Sequence, residues 1–229
     1  MKTILISGAN GNLGAAVVKL FLERGYGVVA LDQHDDKLGF AKAFPVFSFA
    51  ALDLLDEAAV SRFVGSVIAL KGSIEGALMI AGGFAAGSVE DTDGTDIHRQ
   101  LSINFDTAYF LTRPLLKHMK SRGYGRLVFI GARPALNPDQ GKGLVAYALS
   151  KSLLFKLADF INEDSKLTNV VASMVVPSTI DTPGNRSAMP DADPALWVRP
   201  EQIAEVLEFI CSDRGIVLRE PIYKVYNNA

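Results

Sequence analysis

The apolar positions of this chain follow two rhythms that alternate along its length. Short continuous apolar runs stand at Lys2–Ile6, Gly27–Leu31, Val46–Leu52, Gly76–Ala81, Arg126–Gly131 and Asn169–Val176. Most are closed by Ser-Gly, Asp, Gly or Pro. Runs this short, rich in β-branched residues and without polar alternation, predict strands buried on both faces. Between them the apolar residues recur at helical spacing. Leu13, Ala16, Val17, Leu20 and Phe21 form one stripe, stopped by Gly25. Asp56 reads as the N-cap of a helix to about Leu70, with Val60, Phe63, Val64 and Val67 on one face. Long helical patterns cover Thr95–Lys120 and Leu144–Ser165. A shorter helix is predicted over Glu201–Cys211 and a last strand over Pro221–Tyr226. The stretch from Ser178 to Pro200 fits neither rhythm, with four prolines, several acids and few periodic apolar residues. Long loops of that kind in compact domains are usually functional.

Strands alternating with helices imply an α/β chain with a seven-stranded parallel sheet covered on both faces. Right-handed crossovers make it doubly wound. The 229 residues, 49% of them hydrophobic, suffice for one core, so residues 1–229 are expected to form a single domain with a substrate loop at about 178–200. Net charge is −2, which offers no electrostatic footprint for nucleic acid or an anionic membrane. No apolar run approaches the ~18 residues of a membrane helix, and the N-terminal run is too short for a signal-peptide core. One cysteine, Cys211, excludes an intrachain disulfide and a cysteine cage. It reads as a buried helix residue, and the cytoplasm is the expected compartment. His34, His98 and His118 lack metal-type spacing and read as surface residues, so no metal is expected. The acids of Asp91–Asp96 resemble a cation loop, but Ser102 stands where the distal acid belongs. They read as an acidic helix start.

The candidate chemistry begins at the first turn. Gly8-Ala9-Asn10-Gly11-Asn12-Leu13-Gly14 separates the first strand from the first helix. There a helix N-terminus presents free N–H groups to a pyrophosphate, and glycines let backbone and phosphate approach. A glycine-rich turn without a ligand is the alternative. Asp32, followed by Gln33, ends the second strand, where a carboxylate accepts ribose hydroxyls and repels a 2′-phosphate. By itself it would read as a turn residue. No Lys or Arg lies within the glycine turn, which favours NAD(H) over NADP(H). Together these features predict a Rossmann-type sheet.

Tyr147-Ala148-Leu149-Ser150-Lys151 places a phenol and an ammonium four residues apart, on one helix face. A nearby ammonium favours the phenolate and equips the phenol for acid–base work. An ordinary exposed pair is the alternative.

The glycine turn, Asp32 and the Tyr147–Lys151 pair, in this order, resemble the short-chain dehydrogenase/reductase family over nearly the whole chain. That resemblance implies an NAD(P)-dependent oxidoreductase with a small-molecule substrate and no nucleic-acid or membrane partner. It also implies a homodimer or homotetramer built on the long helices. It assigns Tyr147 as proton donor, Lys151 as its partner and ribose ligand, and Asn104 as support for a proton-relay water. It assigns Asp53 and Leu54 to the adenine and Ala81-Gly82-Gly83 to the turn after the fourth strand. Pro177, Thr179, Ile180 and Thr182 fall beside the nicotinamide. Arg133, Met189 and Trp197 become candidates to face substrate, each with a structural alternative: a solvated arginine and two loop anchors.

Two features depart from the family pattern. The glycines are spaced as Gly8, Gly11 and Gly14, with Asn12 at the usual second glycine. That spacing resembles an extended branch whose substrate domain 229 residues would not hold. The second departure is Gly131-Ala132 at the strand end, where the family usually has a serine that polarises the substrate carbonyl. Losing such a donor costs ~10²–10³ in rate when a carbonyl must be polarised. A narrower resemblance accounts for it. Dihydropteridine reductase-like members also carry Gly-Ala there, and Ala81-Gly82-Gly83-Phe84 and Ile180-Asp181-Thr182-Pro183 through Trp197 look like their turn and loop. Asn104 departs from those members. A quinonoid dihydropterin, being readily reduced, is thus a candidate substrate. The competing class is a non-catalytic NAD(P)-binding sensor.

Overall fold

The computed structural model describes residues 1–219 and 222–228. The strands are β1 (Thr3–Ser7), β2 (Gly27–Asp32), β3 (Phe47–Ala51), β4 (Gly76–Met79), β5 (Tyr124–Ile130), β6 (Asn169–Pro177) and β7 (Ile222–Val225). Pro221, the expected start of the last strand, lies outside the described residues. The helices are α1 (Asn12–Glu23), α2 (Glu57–Lys71), α3 (Gly94–Leu101), α4 (Thr107–Arg122), α5 (Pro138–Gly141), α6 (Val145–Asp164), α7 (Pro183–Ala188) and α8 (Pro200–Cys211). All neighbouring strands pair in parallel, in the order β3-β2-β1-β4-β5-β6-β7.

Successive residues of each inner strand serve opposite faces. Ile4 and Ile6 pack with Val17 and Phe21 of α1 and Leu207 of α8, whereas Leu5 packs with Val64 of α2, Leu115 of α4 and Leu154 of α6. Both faces are therefore apolar, which explains the absence of polar alternation in the runs. Local signals start the helices, with Asp56 the N-cap expected. The Asp56 carboxylate accepts the Ala59 N–H at 2.9 Å, and Asp93 does the same for Asp96.

The strand order reverses between β1 and β4, so a crevice opens beyond their carboxyl ends. Two local departures from the sequence reading shape it. β4 stops at Met79, two residues earlier than expected, and Ile80–Gly83 leaves the sheet to line the crevice. The helical pattern of Thr95–Lys120 is interrupted by a π-helical turn at Ser102–Asp106. Such turns insert a residue without ending the helix, so the apolar periodicity barely registers them. Short helices α5 and α7 also arise in segments read as irregular. Cys211 is buried in α8 as expected, and burial pushes its thiol up to about 12. His34 and His98 are exposed. His118 is partly buried, because its Nε2 accepts the Ile74 N–H at 3.3 Å.

Candidate active site

The crevice is a cleft of about 590 Å³. Its first half is built by the glycine turn. Gly8 adopts φ +65°, and a Cβ on Gly14 would stand 2.0 Å from the Gly8 carbonyl oxygen. Only glycine lets α1 start so close to β1. Gly11 caps α1 without a side-chain bond, leaving first-turn N–H groups open toward an anion. Gly11, Asn12 and Leu13 face the cleft with them.

Asp32 and Gln33 line the same end. The Asp32 carboxylate is held by two backbone donors, Asn10 N–H at 2.8 Å and Gln33 N–H at 2.7 Å. Each oxygen keeps lone-pair capacity for a hydroxyl. Asn10 does not line the cleft; it orients Asp32. Asp53 and Leu54 form the facing edge, with the Asp53 carboxylate accepting the Leu55 N–H at 2.9 Å. One cation near the turn escapes sequence reading. Lys37 folds back so that its N–H meets Asn10 Oδ1 at 2.8 Å and its Nζ meets Asn12 Oδ1 at 2.9 Å. An open N-terminus, a glycine wall and carboxylates at the far edge fit an elongated nicotinamide dinucleotide.

The second half brings three predicted residues together. Tyr147 and Lys151 of α6 both line the cleft. Lys151 is 5% exposed and its Nζ donates to the Ile130 carbonyl at 3.0 Å, leaving two hydrogens for a ligand. Burial holds its pKa down to about 8 and pushes the Tyr147 phenol up to about 12. Without a ligand the proton therefore stays on Tyr147 at neutral pH.

Asn104 sits in the π-helical turn and is 1% exposed. Its Oδ1 accepts the Gly83 N–H at 3.0 Å, and its Nδ2 faces the Gly83 carbonyl, Gln100 Oε1 and Ser150 Oγ at 3.0–3.1 Å. The Nδ2 hydrogens are engaged by protein, and the side chain fastens the Ala81-Gly82-Gly83 turn to α6. A Cβ on Gly82 would stand 2.5 Å from Asn104 Oδ1, so this contact requires glycine.

Phe84 completes this half. It is 66% exposed, lines the cleft and packs edge-on against Tyr147 with ring centroids 5.2 Å apart. It was absent from the expected site residues, although it follows the glycine pair. Ile103 and Thr107 also line the cleft unforeseen, because the π-helical turn brings them there.

The loop after β6 contributes Ile180 and Thr182 to the lining, whereas Pro177, which ends β6, and Thr179 do not line the cleft. The Thr182 side chain caps α7 by accepting the Asn185 N–H at 3.2 Å. None of the three substrate candidates lines the cleft here. The Arg133 guanidinium lies over the Tyr226 ring at 5.2 Å. Met189 ends α7, partly exposed. Trp197 is 5% exposed, the burial of a loop anchor. Ala132 is buried at the end of β5 and brings no hydroxyl. Among the described residues no acid, histidine or cysteine cluster could hold a metal, and no helix is long and apolar enough to cross a membrane.

Comparison with known proteins agrees with this geometry. A family model described as short chain dehydrogenase matches residues 2–193. Dihydropteridine reductase of Dictyostelium discoideum is 26% identical over 209 residues, covering 90% of this chain and 86% of that one. Among solved structures, an NAD+-bound xylitol dehydrogenase superposes with a TM-score of 0.87 at 22% identity, covering 99% of this chain and 98% of its own. ElxO with NADP bound gives 0.89 at 19% identity, with 98% and 96% covered. The chain belongs to the short-chain dehydrogenase/reductase family and is an NAD(P)-dependent oxidoreductase.

Proposed function

We propose that this oxidoreductase uses NADH to reduce a small C=O or C=N compound, and that its substrate class is the quinonoid dihydropterins. The observation that carries the reading is the pairing of Tyr147 and Lys151 in the cleft with Ala132, not a hydroxyl, at the end of β5. A quinonoid dihydropterin accepts hydride readily and does not depend on a serine to polarise a carbonyl. The name of the Dictyostelium relative supports the same class.

When bound, the reduced nicotinamide supplies the hydride. The protein's share is the proton and its placement. Tyr147, protonated at neutral pH, donates its phenolic proton to the reduced substrate. Lys151, charged below about 8, stabilises the phenolate left behind and offers its free hydrogens to the ribose. Asn104 supports the relay by fixing Gly83 and Ser150, and its Oδ1, which accepts only the Gly83 N–H, keeps a lone pair to which a water can donate. Phe84 presents an aromatic edge where a flat heterocycle would lie.

Asp32 favours NADH, because its carboxylate would stand against a 2′-phosphate. Lys37 is tied to Asn12 beside it. The expected result is that NADH binds at least about tenfold more tightly than NADPH, a gap that Asp32→Ala closes. Equal wild-type affinities would sink the preference. We also infer a homodimer or homotetramer. Tyr109 of α4 and Leu149, Leu153 and Phe160 of α6 are exposed apolar side chains on the long helices. A monomer by sedimentation at micromolar concentration would overturn that.

The deciding experiment follows NADH oxidation with quinonoid dihydropterins, quinones and aldehydes. Turnover of the dihydropterin well above the others supports the reading. NADH binding with no turnover of any compound would instead mark a non-catalytic sensor.

A further inference from the structure

The end of β7 and the residues after it touch the substrate loop at both ends. Ser178, where the loop leaves β6, donates its N–H to the Val225 carbonyl at 3.0 Å and its Oγ to the Tyr226 carbonyl at 2.8 Å. At the far end, Asn227 Nδ2 donates to the Trp197 carbonyl at 3.0 Å and to the Ala195 carbonyl at 3.3 Å. Between these points the loop closes on itself. Val198 N–H meets the Thr179 carbonyl at 3.0 Å, and Asp181 N–H meets the Val198 carbonyl at 2.8 Å.

The backbone at Asn227 is unusual. Its φ is +52°, and among the described residues it is the only non-glycine with positive φ. Asparagine tolerates this left-handed region better than most side chains. A residue held there beside a functional loop is the pattern expected when the surroundings over-determine its conformation. Segment 181–197 contains Pro183, Pro190 and Pro194, which bring no N–H groups to anchor it. Its orientation therefore depends on the few ties it has.

We propose that Asn227 is a positioning residue for the substrate loop. Its side-chain amide staples the Ala195–Trp197 turn to the sheet edge, which sets how Ile180 and Thr182 present themselves to the cleft. The proposal rests on the reading that this loop faces substrate. The adjacent Tyr226 extends the same device to the end of β5, where its ring lies under Arg133.

The test uses the chain's single tryptophan, Trp197, as a reporter within the stapled turn. Asn227→Gly keeps the left-handed backbone and removes only the amide; Asn227→Asp replaces a donor by a charge that the two carbonyls repel. Acrylamide quenching of Trp197 is expected to rise in both variants. KM for the panel compound that wild type reduces fastest is expected to rise about tenfold. Unchanged quenching in Asn227→Gly overturns the staple. Increased quenching with unchanged KM and kcat shows that the staple exists but does not serve substrate, which overturns the proposal. If the reading of the loop holds while this proposal fails, variants in Ile180 or Thr182 still raise KM and those in Asn227 do not.

Discussion

Two cations are buried at opposite edges of the sheet, and they serve different ends. Lys151, 5% exposed, lies at the carboxyl edge with a single protein hydrogen bond and an open cleft beside it. Arg126, 1% exposed, lies toward the amino edge. Its Nη1 donates to the Gly125 and Asn169 carbonyls, and its Nη2 to Asn169 Oδ1 and the Ile216 carbonyl. Its plane rests 4.7 Å from the Tyr124 ring centroid. Burial lowers the pKa of both. Burial of a charge is thus no mark of function by itself. Hydrogens left unengaged beside a cleft are the better mark, because a ligand can complete them.

The contrast can be broken by substitution. Tyr147→Phe removes the proton donor at the Lys151 edge and is expected to lower kcat by ~10²–10⁴ while NADH affinity stays within about twofold. Full turnover by this variant with every substrate would exclude the assigned chemistry.

Lys151→Met is expected to reduce kcat by at least about tenfold and, unlike most core substitutions, to stabilise the fold at neutral pH. The sign follows from its lowered pKa. Between about 8 and the ordinary 10.5 the unfolded lysine holds a proton that the folded one has released. Stability therefore rises with pH across that window. Tyr147 acts oppositely, but only between about 10 and 12. Urea midpoints should show the advantage of Lys151→Met shrinking from pH 7 to pH 10, and wild-type turnover should fall as pH rises through about 8. A constant advantage would mean that Lys151 is not the titrating group.

Arg126→Met should show the reverse profile: a loss of about 3 kcal/mol in stability, with kcat per folded molecule within about twofold. A large kinetic effect would erase the distinction between the two cations. Phe84→Ala sharpens the picture at the smallest scale. With the ring 66% exposed, stability should change by less than about 0.5 kcal/mol while KM rises several-fold. An unchanged KM would remove Phe84 from the substrate wall.

The sheet was legible because its signals are local. Each inner strand is a short apolar run closed by a turn residue, and both periodicities survive any rearrangement elsewhere. The limits of the elements were less legible. Whether Ile80 and Ala81 continue β4 or leave it depends on the turn that Asn104 fastens, 21 residues from Gly83. The candidate site divides in the same way. Tyr147 and Lys151 are placed on one face by helical spacing alone. Asn104 reaches Ser150, 46 residues away, through a π-helical turn that apolar spacing does not reveal. Trp197 was open to two readings, and its burial favours the anchor.

By itself the sequence determined the alternation of strands and helices, the glycine turn on which α1 begins, the acid that closes β2, and the pairing of phenol and ammonium on α6. Each of these rests on residues within one or two turns of one another, where backbone geometry leaves few choices. The tertiary structure alone decided that Lys37 folds onto the glycine turn, that Phe84 lies across Tyr147, that Asn104 bridges Gly83 and Ser150, and that Asn227 ties down the loop. Those contacts join segments far apart in the chain, and only the packing of both sheet faces brings them within hydrogen-bond or ring-contact reach.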